Sequence, residues 1–132
     1  MKSSQERAMK QAREVADRAH APYSSFRVGA VAIAADGSCH RGCNVENAAY
    51  GATICAEANA LSSAVAAGSN QIDTVVVAGL DTDGPCYPCG NCRQLMRELG
   101  VRSVVVEDGH GGLTEHSLEE LLPHAFGPED LD

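Results

Sequence analysis

Ile72-Asp73-Thr74-Val75-Val76-Val77-Ala78-Gly79-Leu80 is the stretch that decides the fold. Consecutive β-branched valines in a nearly continuous apolar run describe a strand covered on both faces, since a half-exposed strand alternates apolar with polar residues. Such a strand needs helices on each side of its sheet, and the flanking sequence supplies them. Before it, Ile54 to Ala67 sets Ile54, Ala58, Leu61 and Val65 at helical spacing and stops at Gly68. Six alanines between positions 56 and 67 keep this helix thin, as close packing on two sides requires. After it, Asp81 to Pro88 is rich in turn formers, and a helix runs from about Cys89 to Leu99 before Gly100 ends it. Val101 to Val106 is a second buried strand, and Asp108 to Gly112 is a turn. Ser117 with Glu120 caps a short helix that Pro123 stops.

Upstream, Ser3 and Glu6 form a capping box for a helix reaching about His20, with Ala8, Ala12, Val15, Ala16 and Ala19 as its apolar stripe. Ala21 to Ser25 breaks it. Phe26 to Ala34 reads as a strand, Asp36-Gly37 as a hairpin turn, and Ser38 to Cys43 as the returning strand. Asn44 to Thr53 reads as a loop. The order α-β-β-α-β-α-β-α predicts an α/β fold with one mixed sheet and helices on both faces. The crossovers over 54–80 and 72–106 make the later strands parallel, with right-handed connections. With no linker composition and no repeats, residues 1–132 read as a single domain.

The net charge of −8 repels phosphate backbones, and no basic run of five or more residues offsets it. Nucleic acid is therefore not an expected partner. No run of 18 apolar residues exists to span a membrane, and Met1 to His20 lacks the apolar core of a secretory signal. The six cysteines then read as reduced thiols, metal ligands or catalytic groups, and the expected address is the cytoplasm. Trp is absent, so any aromatic stacked on a ligand comes from two Phe and three Tyr.

The chemistry concentrates in Cys55-Ala56-Glu57 and Pro88-Cys89-Gly90-Asn91-Cys92-Arg93-Gln94, each at the start of an expected helix. Cys89 and Cys92, three apart, share a helix face and can bind one ion. A helix N-terminus favours the thiolate forms. Cys55 supplies a third ligand, and three protein ligands leave a fourth position for water, the pattern of a catalytic zinc. Glu57, two residues from Cys55, faces elsewhere and suits proton transfer rather than ligation. Together these match the signature of zinc nucleobase deaminases. Two other readings stay open on spacing alone. Cys86 could complete a four-ligand structural zinc, and Cys86-Tyr87-Pro88-Cys89 resembles a thiol–disulfide redox pair.

From Tyr23 to Phe126 the chain resembles the small, homotetrameric class of cytidine deaminases. Beyond the two cysteine segments, the resemblance rests on Phe26-Arg27-Val28-Gly29-Ala30, Gly42-Cys43-Asn44-Val45-Glu46-Asn47-Ala48 and Leu121-Leu122-Pro123-His124-Ala125-Phe126. It implies a three-layer α/β/α sandwich around one mixed sheet of about five strands, and one zinc per chain on Cys55, Cys89 and Cys92. It further implies hydrolysis of cytidine and 2′-deoxycytidine to the uridines plus ammonia in pyrimidine salvage. In that chemistry zinc-activated hydroxide attacks C4, and Glu57 shuttles the protons. Asn44 and Glu46 would hold the ribose 3′-hydroxyl, Phe26 would pack on the base, and the Ala56 backbone would help hold it. Phe126 would reach a neighbouring subunit's site, Tyr50 would lie near a subunit boundary, and the sites would sit at the interfaces of a homotetramer. A deaminase of modified cytosine nucleosides such as blasticidin S, or a non-catalytic zinc or redox module, is the alternative.

The sequence departs from the family pattern at two places. Ala58 stands where Arg commonly follows the catalytic Glu and offsets the thiolate charge. Asn59, one turn after Cys55, and Arg93, beside Cys92, are the expected substitutes. Arg27 replaces a proline beside Phe26 and so bears on the pocket mouth.

Overall fold

A computed structural model describes residues 3–131. Helix α1 (Ser4–Ala16) begins with the expected capping box: Ser3 Oγ accepts from the Glu6 amide at 3.1 Å, and Glu6 accepts from the Ser3 amide at 3.0 Å. It stops short of His20. His20 is instead drawn into a parallel bridge with Val45, donating to the Asn44 carbonyl and accepting from the Glu46 amide. The remaining elements are β1 (Val28–Ala34), β2 (Cys39–Cys43), α2 (Ala56–Ala66), β3 (Ile72–Gly79) and α3 (Gly90–Glu98). After these come β4 (Ser103–Glu107), β5 (Leu113–Ser117) and the short α4 (Leu118–Leu121). Asp36-Gly37 makes the hairpin turn, with Gly37 at φ +89°, where a Cβ would be strained.

The sheet order is β2-β1-β3-β4-β5. Only β3 and β4 are adjacent and parallel, Val75 opposite Val104 and Val77 opposite Val106; the other pairs are antiparallel. The valine run therefore lies mid-sheet, as its composition requires. Its side chains alternate between two cores. Val76 and Ala78 join Val31 and Val105 under Ala8, Met9 and Ala12 of α1. Val75 and Val77 join Ala30, Ala32, Val104 and Val106 under α2 and α3, with Leu61 and Met96 sealed between the layers. Each of these large side chains, at most 4% exposed, contributes about 1.5–3 kcal/mol by leaving water.

The layers approach closely at two glycines on opposite faces. A Cβ on Gly29 would lie 1.9 Å from the Ala12 carbonyl oxygen of α1, and one on Gly42 would lie 2.4 Å from the Ala60 nitrogen of α2. This proximity brings the start of α2 beside the sheet. The expected three-layer α/β/α sandwich is present. Strand β5, which element-by-element pattern reading left out, completes the five.

Candidate metal centre and active site

Helix α2 follows β2, and α3 follows β3, so both helices begin at the same end of the strands. The first residue of β1 lies there too, since Val28 pairs with Gly79 and Gly29 with Cys43. Open α/β sheets bind ligands beyond the carboxyl ends of their strands. Cys55 and Cys89 stand at the helix thresholds, and Cys92 lies in the first turn of α3. Cys55 caps α2 and Cys89 caps α3, both extended (φ −72°, ψ 154° and φ −69°, ψ 168°) and neither making a side-chain cap hydrogen bond. Two cap positions that normally hold Ser, Thr, Asp or Asn hold sulfur instead.

Cys55, Cys89 and Cys92 bring their sulfurs within 4.8 Å of one another. Cys55 Sγ is 3.9 Å from Cys89 Sγ. Cys92 is buried, Cys55 half-buried and Cys89 exposed. Burial, then the neighbouring Cys89, pushes the Cys55 thiol up. Burial and the Glu57 charge push Cys92 up strongly. Burial acts the same way on Cys89, but the Cys92 amide and the adjoining thiols outweigh it and carry that thiol down. Three thiolates cannot share so small a space without a cation. Soft sulfur donors converging from two helix N-termini, with one side reaching solvent at Cys89, fit a zinc held by three protein ligands.

Glu57, 5% exposed, lies beside this group. Burial raises its carboxyl above the usual range, against the smaller effect of its own amide. Ala56 between them is fully buried. Cys86 does not join the ligand group: its Sγ would lie 3.3 Å from a Cβ on Gly79, and it packs at the edge of the core. Burial and the charge of Glu57 push its thiol up to about 11. Among the described residues, the sulfurs placed to share one ion are those of Cys55, Cys89 and Cys92. The four-cysteine structural zinc is thereby set aside.

The expected substitutes for an arginine at position 58 go elsewhere. Asn59 Nδ2 donates to the Cys43 carbonyl at 3.0 Å, binding α2 to the end of β2. Arg93 donates to the Pro88 carbonyl at 2.8 Å and the Leu121 carbonyl at 2.7 Å. Arg27 turns from the pocket mouth: its side chain grips Asp81 through Nε and Nη2, at 3.1 and 3.0 Å, and Asp17 through Nη1 at 3.0 Å.

The Asn44–Glu46 segment is joined to the metal group through Val45, which exchanges two 2.9 Å backbone bonds with Ile54, the residue before Cys55. Asn44, 9% exposed, accepts from the Val28 amide at 2.8 Å and donates to the Phe26 carbonyl at 2.9 Å, bracing the start of β1. Glu46 accepts from the Tyr23 amide at 2.9 Å, the Ser24 amide at 3.1 Å and the Ser24 hydroxyl. These bonds hold its carboxyl below the usual range. Tyr23 and Ser24, not singled out from sequence, thus orient an expected sugar-binding carboxylate; nothing local in the sequence links positions 23 and 46. Tyr50 sits edge-on to Tyr23 with ring centres 6.4 Å apart. The two line a cleft of about 400 Å³ with Ser24, Glu46, Asn47 and Thr53. Phe26 is half-exposed. Phe126, 56% exposed, stands on the C-terminal arm, where Gln94 holds its carbonyl at 2.8 Å.

Residues 2–108 match the family described as the cytidine and deoxycytidylate deaminase zinc-binding region. A cytidine deaminase of Halalkalibacterium halodurans is 43% identical over 94% of this chain and 95% of its own. One of Sporosarcina psychrophila is 40% identical over 96% and 93%. Among solved structures, a cytidine deaminase from Burkholderia pseudomallei superposes with a TM-score of 0.84 at 44% identity, covering 92% of this chain and 98% of its own. One from Mycobacterium tuberculosis gives 0.79 at 33% identity, covering 96% and 99%. With three thiols placed to hold a metal and a buried glutamate against them, this chain belongs to the zinc-dependent cytidine and deoxycytidylate deaminase family.

Proposed function

We propose that the protein hydrolyses free cytidine and 2′-deoxycytidine to uridine and 2′-deoxyuridine with release of ammonia, serving pyrimidine salvage. The observation that carries this reading is the buried, elevated carboxyl of Glu57 beside the converging thiols of Cys55, Cys89 and Cys92. These cysteines would hold zinc, which supplies the charge that brings a water's pKa towards neutrality. Glu57 takes a proton from the attacking water and delivers it to N3 of cytosine. It then carries the water's second proton to N4, and the C4–N4 bond breaks. One water is consumed and one ammonia leaves. A carboxyl serving as base and then acid needs a pKa nearer neutrality than a solvated glutamate has, and burial supplies that direction. The Ala56 backbone, fixed at the first turn of α2, holds the base edge against Glu57, and Phe26 covers its face.

Asn44 and Glu46 receive the ribose. Both are already oriented by backbone partners, so little ordering remains on binding. The carboxylate of Glu46 accepts from a sugar hydroxyl and disfavours a 5′-phosphate brought near it, which supports nucleoside over nucleotide. Residues 1–132 form one deaminase domain. The exposed Tyr50 and Phe126 support a homotetramer in which each subunit's site is completed by a neighbour. No helix among the described residues is long and apolar enough to cross a membrane. A ligand set of three reduced thiols supports a cytoplasmic setting.

The test is ammonia release from cytidine, deoxycytidine, cytosine and blasticidin S, with zinc per chain measured on the same samples. Glu57→Gln keeps zinc near one per chain and lowers kcat by about 10²–10⁴-fold. Stoichiometric zinc with no turnover of any of the four compounds would overturn the reading.

A further inference from the structure

Arg93 directly follows Cys92, yet its hydrogen bonds go to two carbonyls on different segments. Nε donates to Pro88 at 2.8 Å, the residue before Cys89, and Nη1 donates to Leu121 at 2.7 Å, where the C-terminal arm leaves α4. Its own amide closes on the Cys89 carbonyl at 3.0 Å. Proline offers no amide to this turn, so the Pro88 carbonyl is its available backbone handle. The same face of α3 continues the attachment: Gln94 holds the Phe126 carbonyl at 2.8 Å, and Arg97 pairs with Glu129 at 2.7 Å.

We propose that Arg93 is a positioning residue that couples the turn carrying Cys89 and Cys92 to the C-terminal arm carrying Phe126, so that metal retention and arm placement depend on each other. The inference rests on the reading above in taking these cysteines as ligands and Phe126 as a substrate-side aromatic. A planar guanidinium can satisfy two divergent carbonyls at once, and charge-assisted bonds are about twice as strong as neutral ones. An ammonium on a flexible stem serves one carbonyl well. Coupling of this kind is reciprocal: what the metal does to the arm, the arm does to the metal.

The chain has no Trp, so Phe126→Trp places a single tryptophan on the arm, excited selectively over the three tyrosines. In that background Arg93, Arg93→Lys and Arg93→Met are compared in two measurements, zinc transfer to a chromogenic chelator and Trp emission with and without zinc. Removal of outer-sphere support typically weakens metal binding by about 10–100-fold, and Arg93→Met is expected in that range with Arg93→Lys between. Zinc removal shifts the emission when Arg93 is present and leaves it unmoved in Arg93→Met. Equal zinc retention in all three proteins, or emission indifferent to zinc when Arg93 is present, overturns the proposal. Where Arg93→Met does not fold, Arg93→Lys decides; where an apo-protein loses its helix signal, zinc transfer alone decides. Cytidine turnover is measured separately on the Phe126 protein: coupling without turnover removes the functional reading, and turnover without coupling removes the role of Arg93.

Discussion

The two helix thresholds that supply the thiols are alike in backbone and unlike in how they are held. Cys55 and Cys89 are both extended cap residues, and each precedes a helix aimed at the same point. The start of α2 is held by close packing. Ala56 and Ala60 are fully buried, and Gly42 of β2 leaves room for the helix backbone to lie almost on the strand. The start of α3 is held by polar contacts. Arg93 grips the Pro88 carbonyl from one side, and Tyr87 meets His116 from the other, its hydroxyl 3.4 Å from Nε2 and its ring edge-on at 5.4 Å. Glu120 in turn stands 3.0 Å from His116 Nδ1. One ligand is thus placed by sterics, which tolerate no insertion, and two by bonds that weaken by degrees.

Gly42→Ala breaks the packed side. Its Cβ would meet the backbone of Ala60, Ala56 and Asn59 at 2.4, 2.7 and 2.9 Å, and none of these is the flexible end of a side chain. The expected loss is about 2–3 kcal/mol in thermal or urea unfolding, and a loss under about 0.5 kcal/mol would refute the packed description. Tyr87→Phe probes the polar side more gently. Removing a long, exposed hydroxyl contact costs at most about 1 kcal/mol and speeds zinc transfer a few-fold, with the ring still edge-on to His116. A Tyr87→Phe effect larger than that of Gly42→Ala would invert the comparison.

The smallest effect is expected at Arg27, where β1 is anchored by solvent-exposed charge. The hydrogen bonds and charge of Arg27 hold the Asp81 carboxyl below the usual range. A lowered folded-state pKa means that the stabilisation is full above the unfolded carboxylate range and lost as pH falls through the folded value. Arg27→Met is therefore slightly less stable at pH 7, with the gap closing below about pH 4 in parallel melting curves. A gap that persists in acid would show that the arginine stem, rather than its charge, does the anchoring.

This contrast also explains what the sequence made legible. Local signals carried far: the Ser3–Glu6 box, the Asp36-Gly37 turn and the Ser117–Glu120 cap all form as their spacing requires. The valine run fixed the sheet centre because burial on both faces leaves no polar alternation to misread. Leu113–Ser117 escaped because it is an edge strand, Leu-Thr-Glu-His-Ser, whose polar residues face solvent and whose pairing with β4 is non-local. The thiol group was legible because its members lie in two short motifs. The tasks of Asn59, Arg93 and Arg27 were not, since each long polar side chain reaches a partner 16 to 54 positions away or a carbonyl that carries no residue-type signature. Proximity in sequence to a ligand was a poor guide to where a donor points.

Gly29 and Gly42 have one consequence for dynamics. They let α1 and α2 press on neighbouring strands from opposite faces, while β1 is flanked in the sheet by β2 and β3. Water can reach the β1 amide protons only when β1 parts from β2 or β3 beneath the helices packed on both faces, which is close to unfolding the whole chain. Their deuterium exchange will therefore report global stability, whereas the amides around Phe126, on an exposed arm, will exchange through local opening. The strand expected to exchange most slowly thus adjoins the start of α2, and the segment proposed to visit a neighbour is expected to exchange faster.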